Sequence, residues 1–326
     1  MSISHQTELV TLEDLVPVDH IYRKFKDLWD FSFLDTELSL LDTSKTYKGF
    51  GSFRLFMCLL LQFMEDLSDR ELDSFMQGNN HAKWFCGFGL VEKTPNFRIF
   101  STACKRIGTK NLFAIFNNLR SQLKSQGYMN EVFTFVDASH LISKASLWEE
   151  RDEAIKQKYE KLNNEVLPKF AKDKQARFGC KGGQKYWYGY KKHISVDMQS
   201  GMINKVSITD ASIIDSKGMK HVVPDQGAVY GDKGYCDINA KKAASKRGLH
   251  LAAVKKHNMK GKNKELDKFY TKMRSPYERV FSKTNHRVRY HGISKNQFTA
   301  FMESIVHNLK RMVVLNQEAP PNIILE

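Results

Sequence analysis

The 326-residue chain is poor in cysteine, proline and long apolar runs, and each shortage excludes a class of protein. Its five cysteines (58, 86, 104, 180 and 236) stand apart, with no Cys-x-x-Cys and no Cys/His quartet at zinc spacing. The pattern excludes a disulfide scaffold or a structural zinc site and predicts reduced thiols packed in cores. The longest mainly apolar stretch, Leu55 to Met64, is about half of the ~20 residues a bilayer crossing needs. The opening Met-Ser-Ile-Ser-His-Gln-Thr-Glu lacks a basic region followed by an apolar one. A soluble, unexported, cytoplasmic protein with no membrane partner is expected.

What is present is a globular composition, 41% hydrophobic and 12% aromatic, in a chain long enough for one large domain and a smaller one. The formal net charge of +15 is unevenly spread. Residues 1 to 80 hold seven Lys/Arg against fourteen Asp/Glu, a net of −7, which leaves +22 for the remainder. From Lys241 to Lys268 there are ten Lys/Arg opposed only by Glu265 and Asp267, and Lys181 to Lys192 interleaves lysine with Tyr186, Trp187, Tyr188 and Tyr190. Such clustering points to a polyanion, with an affinity that falls as salt rises. The aromatics could stack on bases, but in a strand they more often fill a core.

Taken in order, residues 1 to about 15 read as an irregular arm. Val18, Ile21, Phe25, Leu28 and Trp29 recur at helical spacing, with Pro17 placed for a first turn. Phe53 to Met64 reads as a buried helix, Ser68-Asp-Arg-Glu71 as a capping box, and His81 to Phe88, Thr94 to Ile107 and Asn111 to Gln126 as further helices. Arg98, Lys105, Arg106 and Lys110 lie on the only strongly basic helix of this region. It follows a short helix and a glycine-containing turn, as a recognition helix would; a solvated helix face is the other reading. Beyond it, Trp148, Ile155, Tyr159, Leu162 and Val166 predict an amphipathic helix within 144–177. Ile194 to Met198, the turn Gln199-Ser200-Gly201 and Ile203 to Ile208 predict a hairpin. A helix from Ile238 to Arg247, a strand from Leu249 to Val254, a helical Phe269 to Tyr290 and an amphipathic last helix complete a mixed α/β sheet.

Two aspartates stand where strands should end. Phe133-Thr-Phe-Val-Asp137 and Ala228-Val-Tyr-Gly-Asp232 each close a short apolar run with a carboxylate, and burying an unpaired carboxylate is costly. They form a candidate metal pair. Asp197 reads as a turn-stabilising residue, Asp210 as a helix N-cap, and Asp215 as a possible support for a nearby site.

The helical first third, Val136-Asp137-Ala-Ser, Trp187-Tyr-Gly-Tyr-Lys-Lys-His193, Val229-Tyr-Gly-Asp232-Lys-Gly-Tyr235 and Arg274-Ser-Pro-Tyr-Glu278-Arg-Val-Phe281 together resemble a DDE transposase of the insertion-sequence-5 family. The resemblance spans about residues 10 to 315, with 95 residues between the two aspartates and 46 from Asp232 to Glu278. It implies a ribonuclease H-like catalytic core over 130–315, a helical N-terminal domain over 1–126 for DNA-end binding or dimerisation, and a loose tail at 316–326. It also implies that Asp137, Asp232 and Glu278 hold two Mg²⁺ (or Mn²⁺) ions. Hard carboxylate oxygens suit such ions, and a pair of ions about 3.5–4 Å apart serves in-line displacement at phosphorus. Water would cut the transposon end, and the freed 3′-hydroxyl would join target DNA.

The implied partners are double-stranded DNA and a second copy of the chain, since two inverted ends match a symmetric dimer; Leu9 to Leu41 is the candidate contact. Arg98, Lys105, Arg106, Lys191, Lys192, Lys233, Lys255, Lys256, Arg274, Lys283, Arg287 and Arg289 are the candidate DNA contacts. Ser275-Pro276-Tyr277-Glu278 is also a capping box, which gives Glu278 a structural alternative. A Tyr-x2-Arg-x3-Glu-x6-Lys signature, linked in related transposases to hairpin intermediates, is broken by Thr271 and Asn285. His140, His193, His286 and His291 are not needed as bases in a two-metal site. Two other functions fit the same residues: a DNA-binding protein that has lost catalysis, and a metal-dependent nuclease that never joins its products.

Overall fold

The structure, a computed structural model, describes residues 10–42, 49–143, 165, 167–181, 185–256, 259–277 and 287–318. Glu278, Lys283, His286 and the helix expected through Trp148 and Val166 lie outside the described residues. By its internal contacts the chain divides into two units, Met1–Leu119 with Met312–Gln317, and Arg120–Arg311 with Glu318–Glu326.

The first unit is helical: α1 Leu12–Leu15, α2 Ile21–Leu28, α3 Ser32–Ser39, α4 Ser52–Met64, α5 Asp69–Gly78, α6 Asn80–Cys86 and α7 Phe97–Ser125, which runs past the unit's end. The arm is less irregular than expected, because Thr11 and Asp14 close a capping box around α1. Pro17 does not open α2. It sits in the turn before it, accepting the His20 N–H at 3.0 Å, and His20 provides the cap. The Ser68–Glu71 box forms with both of its hydrogen bonds (2.7 and 3.3 Å). Helix α4 is buried nearly all round, with Phe56, Cys58, Leu59, Leu60 and Leu61 inaccessible, as a helix apolar on every face must be. At Gly108 the backbone leaves helical geometry and splits α7 where two helices were expected. A helix-turn-helix is not formed: residues 87–96 separate α6 from α7, against a turn of about 3–4 residues in that motif.

The second unit contains one six-stranded sheet. Its elements are β1 Phe133–Ile142, α8 Leu167–Phe170, β2 Arg177–Lys181, β3 Lys185–Asp197, β4 Ile203–Asp210, α9 Asp215–Gly218, β5 Ala228–Gly231, α10 Ile238–Ser245, β6 His250–Ala253, α11 Lys264–Arg274 and α12 Ile293–Glu318, of which Met312–Gln317 belongs to the first unit. The order is β2-β3-β1-β5-β6, with β4 also paired to β3. Strand β2 was not foreseen, because Arg-Phe-Gly-Cys-Lys shows no alternation; it pairs with the N-terminal part of β3. The β3–β4 hairpin forms as expected. Inaccessible Asp197 fixes its turn, accepting from Ser200 N–H (2.9 Å) and Oγ (2.8 Å), and from Glu131 N–H (3.0 Å).

Alternation along β3 decides what each face meets. Lys192 points to α12, where it reaches Glu303, while His193 points to α9 and lies against Gly218. Val136, Val229, Tyr235, Ala240 and Ala244 form a core with Met219, Val222 and Val223 that packs α10 onto the sheet. Asn308 of α12 bonds both backbone groups of Ile203 (2.7 and 2.8 Å), tying that helix to β4. The last helix continues to Glu318, past the expected start of a loose tail at 316, and 319–326 lie outside the described residues.

A charge cluster anchors the entry to the sheet. Inaccessible Glu131 pairs with Arg120 (2.6 Å) and Lys124 (2.7 Å) and accepts the Asp225 N–H (2.8 Å). Asp225 in turn pairs with Lys205 (2.7 Å), Arg247 (2.6 Å) and Arg120. Gly227, at φ +82°, lets the chain pass the Glu131 carbonyl; a Cβ there would stand 2.1 Å from that oxygen. Removing Glu131, itself inaccessible, leaves two half-buried cations short of a counter-charge. Glu131→Ala is expected to lower stability by about 3 kcal/mol, read as a lower urea midpoint at unchanged m; a loss below roughly 1 kcal/mol would mean the cluster is only a surface network.

Candidate active site

Parallel pairing of β1 with β5 sets Val136 beside Gly231, and the next residue on each strand is an aspartate, Asp137 and Asp232. Neighbouring strands lie about 4.8 Å apart, so the two residues sit side by side. Asp232 follows the end of β5, whereas Asp137 lies in mid-strand, because β1 runs on to Ile142 and pairs Asp137 with Ile194 of β3, against the expectation that the strand ends there. Each is steadied through one oxygen only. Asp137 Oδ1 accepts the Ala138 N–H (2.8 Å), and Asp232 Oδ1 accepts the Gly234 N–H (2.7 Å), capping the short turn 233–235. Oδ2 of both has no hydrogen bond among the described residues. Burial, followed by the charges of Asp232 and Asp215, pushes the Asp137 carboxyl up to about 7, against the opposing pull of the Ala138 bond and Lys181. Among the described residues neither carboxylate has an ion-pair partner, and the desolvation of Asp137 is not offset.

Three further groups surround the pair. Tyr235 is inaccessible, its hydroxyl has no partner among the described residues, and burial together with Asp137, Asp215 and Asp232 drives its phenol far up. Asp215, at the start of α9, accepts from Lys191 Nζ (2.7 Å). His193, also inaccessible, bonds Thr209 Oγ1 (2.9 Å), and burial holds its imidazole down at about 4, so it is neutral at pH 7. A Cβ on Gly218 would lie 2.1 Å from its ring, so only glycine lets α9 close over it.

Carboxylate oxygens left without a hydrogen bond are the kind of hard ligand a divalent cation takes. No group of three His, Cys, Asp or Glu close enough to ligate one occurs among the described residues. Glu278, the third carboxylate of the sequence reading, lies outside them. Its structural alternative loses its basis at Ser275, which has helical backbone and bonds Thr271 O, ending α11, whereas an N-cap is extended. Asp210 caps no helix either. Its carboxylate accepts from Ser212 within a turn, and α9 starts only at Asp215.

The basic residues of the sequence reading part company. Lys191 and Lys192 are buried in ion pairs with Asp215 and Glu303 (2.7 and 2.9 Å), so they are internal counter-charges and not a surface for phosphate. Tyr188 and Tyr190 are core residues that bond Asp173 (2.8 and 2.6 Å), and Trp187 is buried with them. Lys233 and Lys256 are exposed, Lys255 reaches the Gly261 carbonyl (2.6 Å), and Arg274 is half-buried at the end of α11. Arg287 bridges to Ile142, which returns the chain to the far end of β1, with half-buried Arg289 two residues on. In the first unit Arg98 and Lys105 are exposed, while Arg106 is half-buried with Asp42 at 3.8 Å. Sequence reasoning passed over Tyr235 and the Lys191–Asp215 pair; the tyrosine stood in a motif, but only folding reveals what faces its hydroxyl.

Residues 10–106 match the family described as a transposase domain (DUF772), and residues 149–309 match the transposase DDE domain. Asp232 and Glu278 fall within the second match, and Asp137 precedes it. No curated protein matches. Among solved structures, a piggyBac transposase synaptic complex with hairpin DNA is similar at 9% identity and TM-score 0.40, covering 91% of this chain and 76% of that one. A Mos1 transposase paired-end complex with the left transposon end is similar at 6% identity and TM-score 0.20, covering 86% and 82%. The two matched domains support a DDE transposase. No described helix is long and apolar enough to cross a membrane.

The raised Asp137 carboxyl has a measurable consequence. An unfolded aspartate titrates near 3.9, so between about 4 and about 7 the native state binds the extra proton and stability falls as pH rises. Urea unfolding in chelator should show wild type losing on the order of 3 kcal/mol over that window relative to Asp137→Asn. Parallel curves would mean the carboxylate is not held in a desolvated, repulsive site.

Proposed function

We infer that this DDE transposase is a member of the insertion-sequence-5 family that cuts the ends of its element and joins them to target DNA, with Asp137, Asp232 and Glu278 as its metal ligands. The observation that carries the reading is the pair of aspartates, Asp137 within β1 and Asp232 just past β5, adjacent through parallel pairing and each with an oxygen free for an ion. A ribonuclease H-like core is supported by the order β4-β3-β1-β5-β6, in which three antiparallel strands are followed by two parallel ones.

Bound between the carboxylates, Mg²⁺ or Mn²⁺ would supply Lewis-acid activation of the attacking oxygen and stabilise the leaving one. The chain's residues prepare the place. Asp137 and Asp232 each keep one oxygen on a backbone N–H, which fixes the direction of the other. Lys191 holds Asp215 at the rim, so that carboxylate adds negative charge to the site without being loose in it. Neutral His193, bonded to Thr209, is packed as a spacer beneath α9 and takes no proton from water. Double-stranded transposon ends are the substrate, the helical first unit contributes to gripping them, and two copies act together on two ends.

The test is cleavage of a labelled duplex carrying the element's end, with Mg²⁺ or Mn²⁺. Wild type should nick and then join it. Asp137→Ala, Asp232→Ala and Glu278→Ala should each bind the duplex yet cut at least 100-fold more slowly, by roughly the effect of losing a positioned catalytic group. Normal cutting by Glu278→Ala would move the third ligand elsewhere; cutting without joined products would make the protein a nuclease.

A further inference from the structure

Immediately beyond Asp232 the second unit carries a cavity of about 1120 Å³ between the 233–235 turn and α11. Its wall includes Lys233, Lys262, Lys264, Lys268 and Lys272. Lysines 264, 268 and 272 recur every fourth residue and so line one face of α11, about 6 Å apart and spanning roughly 12 Å. Lys233, Lys264, Lys268 and Lys272 are exposed, and none makes an ion pair among the described residues. The acid in the wall, Asp267, is already engaged by the Lys255 N–H (3.0 Å) and by Lys262 (3.7 Å). Like charges at this spacing weaken a helix and do nothing for packing. The ladder is also fixed in place: Tyr270 of α11 meets Tyr230 of β5 edge-on (5.8 Å between rings), on the strand that leads to Asp232.

We propose that this groove binds the sugar–phosphate backbone of a single DNA strand leading into the carboxylate pair, so that it holds the unpaired segment next to the phosphate being cut. The proposal rests on the transposase reading and gives that site a strand path. Single-stranded DNA is the occupant because the charges form one line. The three lysines, about 6 Å apart in one line, can each take one phosphate of one strand, and a cavity of this size is on the scale of one that encloses a small ligand, far short of a duplex. Lys233, one residue from Asp232, would meet the phosphate nearest the reaction.

The experiment is fluorescence anisotropy with the full chain in chelator, so that no DNA is cut. A short single-stranded oligonucleotide and its duplex are titrated between about 50 and 200 mM salt. For the triple variant Lys264→Gln, Lys268→Gln, Lys272→Gln, the slope of log K against log salt should shrink by about 2 on single strands, from ≈0.7 per lost phosphate contact. The duplex slope should hold, and the corresponding triple Arg variant should keep the wild-type slope on both. An unchanged single-strand slope would make the ladder a solvated helix face, and a loss on duplex alone would make it a duplex contact; either overturns the proposal. The transposase reading fails separately, if wild type with metal cuts no transposon end.

Discussion

The parallel register between β1 and β5 is the constraint on which the site depends. A strand has no freedom to choose which residue ends level with its neighbour once the ladder is set, and here the ladder sets Val136 beside Gly231. The following aspartates are therefore brought together by backbone hydrogen bonds, not by any attraction of their own. Their mutual repulsion and their partial burial oppose the arrangement, as the raised Asp137 carboxyl records. The fold carries that cost because the surrounding apolar cluster of Val136, Val229, Tyr235 and the small residues of α10 stabilises the two strands. Repulsive charge held by a rigid frame is the preorganisation that the proposed cation site calls for.

Around that frame the buried polar groups have distinct tasks. Glu131 and Asp225 gather Arg120, Lys205 and Arg247 where the chain enters the sheet, while Asp197 ties the hairpin turn to Glu131, two residues before β1. Lys191 and Lys192, neighbours in sequence, face opposite sides of β3 and answer to Asp215 and Glu303. Each is a buried charge with its own counter-ion, as low-dielectric surroundings require. Lys233 on the Asp232 turn and Lys264, Lys268 and Lys272 on α11 are exposed and make no ion pair among the described residues. Positive charge in the second unit thus meets two environments, internal pairing within the sheet and exposed lysines along the cavity next to Asp232.

Much of this was legible in the sequence by itself. A carboxylate ending an apolar run marked Asp137 and Asp232, capping residues marked α5, continuous apolarity marked α4, and the turn Gln199-Ser200-Gly201 marked the hairpin, because these are local effects that a few neighbouring side chains decide. The motifs also gave the family resemblance, and two transposase domain matches agree with it at that level. What only the tertiary structure decided was which charges meet. Sequence proximity put Lys191 and Lys192 among the surface cations, and long-range pairing across the sheet and onto α12 buried them. A capping pattern at Ser275 was overridden because Ser275 closes α11 in helical backbone, and Asp210 was drawn into a strand end. Register, burial and the choice of counter-ion depend on contacts tens to hundreds of residues apart, and no local pattern of residues encodes them.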